Sequence, residues 1–179
     1  GTYGVTVRYY VVEFVDGVTV WRGVSSFAPG SSANPKYTTK EITLSPDLDA
    51  DYATKAFPIV QVRFGNALGD NDEMATVRGR ITSINTLTLD RYDTNSVLKS
   101  VNVIWQVVQF EKDAYVKSGD VELAVQDLTE PGTIDVTDPS KCLLFYSLKA
   151  GKGTAGKAGI YKIRGEITNA TTVTFTRTW

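Results

Sequence analysis

The sequence predicts an all-β protein made of two tandem copies of a small antiparallel β-sandwich module. Apolar residues alternate with Thr and other polar residues over short runs, which is the pattern of half-buried strands. Clusters of Gly, Pro, Asn and Asp separate these runs, for example at residues 28–35 and 130–132. Two segments also occur twice in the same order, and this repeat fixes the domain organisation.

The longer repeated segment covers residues 77–91, which align without gaps on residues 163–177 with seven identical positions. Residues 7–14 match residues 103–110 in the same way, with an aromatic residue at the third place of both. We therefore predict a first module over residues 1–91, with Val7–Arg91 as the core of the repeat, a joining stretch 92–102, and a second module over residues 103–179.

The same alternation predicts the individual elements in chain order. In the repeated hairpin, Leu87 and Leu89 are predicted to face the core while Thr88 and Asp90 face solvent. A short helix is predicted over Ser45–Tyr52, because Ser favours the N-cap and Pro the first helical position. The predicted strands are 5–14, 18–25, 39–44, 57–64, the hairpin 77–91, 101–110, 114–125, 142–149, 160–167 and the strand that ends the second hairpin.

The strand at residues 101–110 follows the first copy directly and is expected to close its sheet. The second copy has no such strand after it in the sequence, whereas the equivalent strand 5–14 precedes the first copy. An open sheet edge is a template for pairing. The N-terminal strand, including Val11 and Phe14, is therefore expected to complete the second copy, either within one chain or between neighbouring chains.

Charge and composition argue against several classes of partner. The 19 Lys and Arg residues are balanced by 20 Asp and Glu residues, so no nucleic acid is expected as a partner. No apolar run approaches the ~20 residues of a spanning helix, so no membrane insertion is expected. The one cysteine, Cys142, lies in an apolar run and is predicted to be a buried side chain without a disulfide partner.

The absence of histidine removes the nucleophile systems that use a histidine base and the commonest zinc ligand. Residues 151–158 match part of a phosphate-binding loop, but Ala158 occupies the position that requires a hydroxyl, and a predicted strand follows instead of a helix. We therefore expect no enzymatic activity, no cofactor, no metal and no catalytic residue.

Two equivalent loops carry opposite charge. Asp70, Asp72 and Glu73 follow the strand 57–64, and Lys152 and Lys157 follow the strand 142–149. These are either solvated hairpin tips that varied independently, the acidic one with some capacity for calcium, or subunit-interface residues. In the second interpretation the acidic loop of one subunit faces the basic loop of the next and sets their orientation.

The motifs Val-Val-Glu-Phe at 11–14 and Val-Val-Gln-Phe at 107–110, with the hairpin 167–177, resemble the small β-sandwich modules of phage virion surface proteins. More loosely, they are similar to sandwich lectins of the H type. The first resemblance implies a non-enzymatic structural protein of a phage tail, fibre or capsid decoration, located in the virion and assembled with copies of itself and other virion proteins.

Two alternatives remain open at this point. One is a carbohydrate-binding lectin module, which would recognise a host-surface glycan by stacking sugar rings on Trp21, Tyr37, Tyr92 or Tyr115. The other is a subunit of an extracellular filament at a cell surface.

Overall fold

A computed structural model of the protein describes residues 8, 11–28, 39–64, 76–91, 100–124, 127–150 and 163–177. These residues form three three-stranded sheets in which every pairing is antiparallel, which confirms the all-β class. In chain order the elements are β1 (Val18–Phe27), β2 (Thr39–Thr43), α1 (Tyr52–Lys55), β3 (Ala56–Phe64), β4 (Arg78–Ser83), β5 (Thr86–Asp90), β6 (Val101–Phe110), β7 (Thr129–Thr133), a 3₁₀ turn (Pro139–Lys141), β8 (Ile163–Asn169) and β9 (Thr172–Arg177).

The first sheet has the strand order β1–β6–β3, so β6 is its central strand. Val101, Val103 and Val107 on β6 are fully buried. Trp105 lies opposite Gly23 on one side and Val60 on the other. The strand that opens the second copy in sequence therefore closes the sheet of the first copy, as the repeat predicted.

The second sheet, β2–β5–β4, shares one buried apolar cluster with the first, to which Leu87 and Leu89 of β5 contribute. The prediction that Thr88 and Asp90 face solvent is wrong, because both are buried. β5 is the central strand, and its other face is covered by side chains of β4. The Thr88 hydroxyl bonds that of Thr82 at 2.8 Å, and arginines of β4 cover Asp90.

The third sheet, β7–β9–β8, reproduces the order of the second. Its hairpin has the same register as the β4–β5 hairpin, and both registers shift at the same place, after Ile81 and after Ile167. The threonine pair recurs as well, with 2.6 Å between the hydroxyls of Thr168 and Thr174. The duplication seen in the sequence is thus visible in the backbone pairing of these two sheets.

The helix lies later than predicted, over Tyr52–Lys55. Asp51, not Ser45, precedes it, and the Asp51 side chain makes no capping bond. The residues before it are held along the β4–β5 turn, because Leu44 and Leu48 are buried and their N–H groups donate to the carbonyls of the turn at 2.8 and 2.7 Å. Anchoring at these two leucines keeps the segment out of a helix.

Two predicted strands are absent from the described part of the second copy. We name residues 114–124 the first flanking segment and residues 142–149 the second flanking segment; neither belongs to a sheet. Both nevertheless lie over the third sheet. Val121 contacts the face of β7 so closely that a Cβ on Gly132 would be 2.6 Å from its methyl, and Leu144 packs in the same way over Gly165 of β8. A ladder requires a partner strand, and these segments have none among the described residues.

The described part of the predicted N-terminal strand, Arg8 and residues 11–14, also lies outside any sheet. Of the predicted strand 160–167, residues 163–167 belong to β8, and residues 160–162 lie outside the described residues.

Candidate functional site

The charged loop residues predicted as interface positions, Asp70, Asp72, Glu73, Lys152 and Lys157, lie outside the described residues. The two apolar interface residues are described. Val11 is 84% exposed, and the Phe14 ring makes an edge contact with Phe110 at 6.0 Å between ring centroids. The structure therefore places the apolar pair at the surface, where a partner segment can reach it.

The outer face of the first sheet carries an apolar pair that the sequence analysis did not single out. Val24 on β1 lies directly opposite Ile104 on β6, and their exposed fractions are 74% and 45%. Alternate residues of β6 fill the core, so the side chain of Ile104 points outward. A signal was present in the sequence, because Ile104 is an apolar residue on the face of the strand that otherwise carries Asn102 and Gln106.

A second apolar surface lies on the flanking segments. Tyr115, Leu143 and Phe145 are all more than half exposed. Phe145 stacks on Phe57 of the first copy at 4.9 Å between ring centroids, and the ammonium of Lys55 lies 5.0 Å from the centre of the Tyr115 ring. These contacts hold the flanking segments against the first copy while leaving one side of each open.

The core of the second copy is less complete than that of the first. Leu89 of β5 has no exposed surface, whereas its equivalent on β9, Phe175, is only half-buried; Val173, the equivalent of Leu87, is buried. Phe27, at the end of β1, is buried, and its counterpart Leu123 in the first flanking segment is half-buried. At these positions the apolar side chains of the second copy are therefore less completely covered by the described residues than those of the first.

A buried arginine at the end of each repeat ties its hairpin to the preceding segment. Arg91 is fully buried, lies 4.8 Å over the Phe27 ring and donates to the Ala28 carbonyl at 3.0 Å. Burial lowers the pKa of its guanidinium. Arg177 is also buried and donates from the same nitrogen to the Ala124 carbonyl. The two arginines mark matching positions in the two copies.

A group of ion pairs centres on Asp90 of the first copy, and Arg78 of this group also donates to Asp120 of the first flanking segment at 3.1 Å. The buried Asp90 carboxylate accepts hydrogen bonds from Arg78 at 2.9 and 3.0 Å and from Arg80 at 3.0 Å. Burial acts to raise the pKa of Asp90, but the hydrogen bonds and positive charge of Arg78 outweigh it and leave the pKa lowered. In the second copy Thr176 occupies the equivalent position, and Arg164 pairs instead with Glu166 at 2.9 Å on the surface. The cluster is structural, because its groups bond one another.

The aromatic residues proposed for sugar stacking are not gathered by the described part of the chain. The Trp21 ring is half-buried and its N–H donates to the Pro46 carbonyl at 2.9 Å. Tyr115 is exposed beneath Lys55, and Tyr37 and Tyr92 lie outside the described residues. Cys142 is half-buried rather than buried as predicted, because its Sγ lies at the open side of the second flanking segment, 3.3 Å from the Asp138 carbonyl.

No protein-family model, curated protein or solved structure matches this chain. Among the residues that the structure describes, no three His, Cys, Asp or Glu side chains are grouped so as to hold a metal ion. Within the same ranges, no helix is both long and apolar enough to cross a membrane. The exposed apolar surfaces are therefore the candidate functional site.

Proposed function

We propose that this chain is a non-enzymatic structural protein that assembles with copies of itself on a viral particle or appendage, as a phage tail, fibre or decoration component. The observation that carries the proposal is the exposed pair formed by Val24 of the edge strand β1 and Ile104 of the central strand β6. Alternate residues of both strands are already buried inside the copy. An apolar patch on the opposite face is typical of a protein–protein contact.

The chemistry of this face favours a protein partner. Gln61 of β3 lies on the other side of Ile104 and offers amide groups at the edge of the patch, an arrangement of apolar centre and polar rim that is common in interfaces. The sequence also lacks histidine, which removes the usual base of a hydrolytic site. Other virion proteins and further copies of this chain are the proposed partners.

Replacing Val24 with Lys tests the assembly face. The side chain would place an ammonium group opposite Ile104, and burial of that charge in an interface costs more than about 1.4 kcal/mol, so assembly should weaken at least ~10-fold. Native mass spectrometry and sedimentation across a concentration series measure the change, and electron microscopy of the wild-type protein distinguishes a ring or particle from a filament.

Thr19→Lys is the matched control, because Thr19 is exposed on the same strand but lies opposite Gln109. It should leave the assembled mass unchanged. Two results together would contradict the proposal. The wild-type protein would remain monomeric at every concentration when studied alone, and the Val24→Lys variant would bind other virion proteins as well as the wild type does.

A further inference from the structure

The second copy leaves open the strand position that β6 fills in the first copy. In the first sheet β6 lies between β1 and β3. The first flanking segment occupies the place of β1, because the buried arginines bond Ala28 after β1 and Ala124 at the end of the segment. The second flanking segment occupies the place of β3, since Leu144 covers Gly165 as Val60 covers Gly79. We name the gap between the two flanking segments the slot; no described strand lies in it.

The slot has free space where β6 places its largest side chain. In the first sheet a Cβ on Gly23 would lie 2.5 Å from the Trp105 ring, so glycine is required there. The equivalent residue, 96 positions later, is Gly119, and a Cβ on Gly119 would meet no atom of the described residues within 4 Å. The second copy therefore retains the glycine without the aromatic ring that requires it.

We infer that residues 5–14 of the same chain fill the slot as its central strand. The same difference of 96 positions aligns this segment with β6 and places Tyr9 over Gly119. The ten residues match the ten positions 114–123 of the first flanking segment. In this register four residues would face the core of the second copy at the places of Val101, Val103, Trp105 and Val107: Val5, Val7, Tyr9 and Val11. The Val11 side chain, which is 84% exposed in the structure, would become buried by this pairing.

Charge complementarity distinguishes this strand from β6. In the first sheet Val24 faces Ile104. The same register in the slot sets Asp120, whose carboxylate also accepts a hydrogen bond from Arg78 at 3.1 Å, opposite Arg8, so an apolar pair becomes a pair of opposite charge. Cross-strand pairs of opposite charge stabilise a sheet, whereas an apolar residue opposite Asp120 would not. Residues 5–14 therefore fit the slot better than β6 would.

The turns before β1 and before the first flanking segment show why the strand comes from the same chain. Phe14 contacts its own equivalent, Phe110, and the carboxylate of Asp16 lies 3.8 Å from the ammonium of its equivalent, Lys112. Contacts between residues exactly one repeat apart place an approximate twofold axis between the two turns.

The backbone of the two turns is also alike. Gly17 and its equivalent Asp113 both have left-handed φ, 72° and 61°. The strand that leads into Asp113 is β6, which opens the second copy in the sequence but lies in the sheet of the first copy. By the same geometry the chain reaches Gly17 from a strand that runs through the second copy. Each copy thereby gives its leading strand to the other.

The ladder between β1 and β6 already points into the slot. The N–H of Glu111 donates to the Gly17 carbonyl at 2.9 Å, one step beyond the last pair of the ladder. Continuing the register sets Phe14 opposite Ala114, and these two residues line the same surface hollow. The chain's own strand needs no extra length, and its effective concentration exceeds that of a strand from another molecule.

A cysteine at position 11 tests this arrangement with the native Cys142 as its partner. In the first sheet Val107 pairs with Pro58, and the equivalent pair in the slot is Val11 with Cys142. Directly opposed residues have Cβ atoms ~4.5–5.5 Å apart, close to the ~3.5–4.5 Å of a disulfide. Mild oxidation of the Val11→Cys variant with oxidised glutathione should form a disulfide within one chain at every protein concentration. The product should migrate as a monomer both before and after reduction, and its digest should contain the two cysteine peptides linked to each other.

Val12→Cys is the matched control, because its side chain points to the other face of the strand and should give little of this product. A disulfide between two chains would show that a second copy supplies the strand and would overturn the inference. A folded Val11→Cys protein that forms no bond to Cys142 would overturn it as well.

Hydrogen exchange of the unmodified protein gives a second measurement that needs no variant. Amides of residues 114–123 and 142–148 should exchange as slowly as those of β7 and β8, and rapid exchange in both flanking segments would refute a filled slot. This inference does not depend on the proposed assembly role, because Val24→Lys alters the outer face of the first sheet and leaves the slot untouched.

Discussion

Asp90 shows how one residue changes the character of a repeated position. The sequence alignment pairs it with Thr176, and the alternation of β5 predicts an exposed side chain for both. The structure instead buries the Asp90 carboxylate beneath two arginines of β4, because the arginines repeat with the same period of two on the neighbouring strand. Single-strand alternation could not reveal this, since the covering groups come from another strand.

Replacing Asp90 with Asn should destabilise the protein by about 2–3 kcal/mol at pH 7, because the half-buried guanidinium of Arg78 would lose its buried carboxylate partner and keep only the exposed Asp120. The lowered pKa of Asp90 gives the sign of the pH dependence. The charged form stabilises the fold above the ordinary value of 3.8, and this contribution is lost as the pH falls below it.

Urea unfolding of both proteins between pH 7 and pH 3 measures this effect. The difference between wild type and Asp90→Asn should shrink at the acid end of the series. Thr176→Asn is the matched control on β9 and should change stability little; an equal difference at every pH would contradict the role given to the Asp90 charge.

At the scale of elements, one equivalent pair of positions carries its large and its small side chain in opposite order in the two copies. In the second copy the small residue is on the strand, Gly132 of β7, and the larger one, Val121, lies over it. In the first copy the corresponding positions carry the large Ile42 on β2 and the small, buried Ser25 on β1. The exchange makes the corresponding parts of the two copies different in shape.

Gly132→Ile should therefore cost about 1–3 kcal/mol, because its side chain would overlap the methyl groups of Val121. Adding Val121→Ser should restore part of this loss by reproducing the arrangement of the first copy. Thermal unfolding of the two single variants and the double variant forms a double-mutant cycle. Strictly additive effects would show that the two residues are not coupled.

How far an element could be predicted depended on where its partner lies in the sequence. The β4–β5 and β8–β9 hairpins were predicted because both strands of each are local and alternate with Thr. The flanking segments have equally good strand patterns, but a strand forms only where a partner pairs with it. The helix was misplaced because the burial of Leu44 and Leu48 depends on a distant turn. The Val24–Ile104 face was missed because its two residues lie on strands that are far apart in the sequence and become neighbours only through pairing.

At the scale of the whole molecule, burial is distributed unevenly between the copies. Most residues of β5 and the core-facing residues of β6 are buried, whereas those of β9 are mostly half-buried. Local opening is rarest where apolar contacts are most complete. Native-state hydrogen exchange should therefore find the slowest amides in β5 and β6 and faster ones in β7, β8 and β9. Uniform protection of all nine strands would contradict this order.

The shared left-handed turn at Gly17 and Asp113 bears on how such a chain can arise. One repeat produced alone would hold a strand directed away from its own sheet and a vacancy of the same shape. Two such molecules are expected to satisfy each other as a symmetric homodimer that exchanges leading strands. A gene duplication that joined two of these subunits would place both exchanging partners in one covalent chain. Each half could then change its surface without losing its partner.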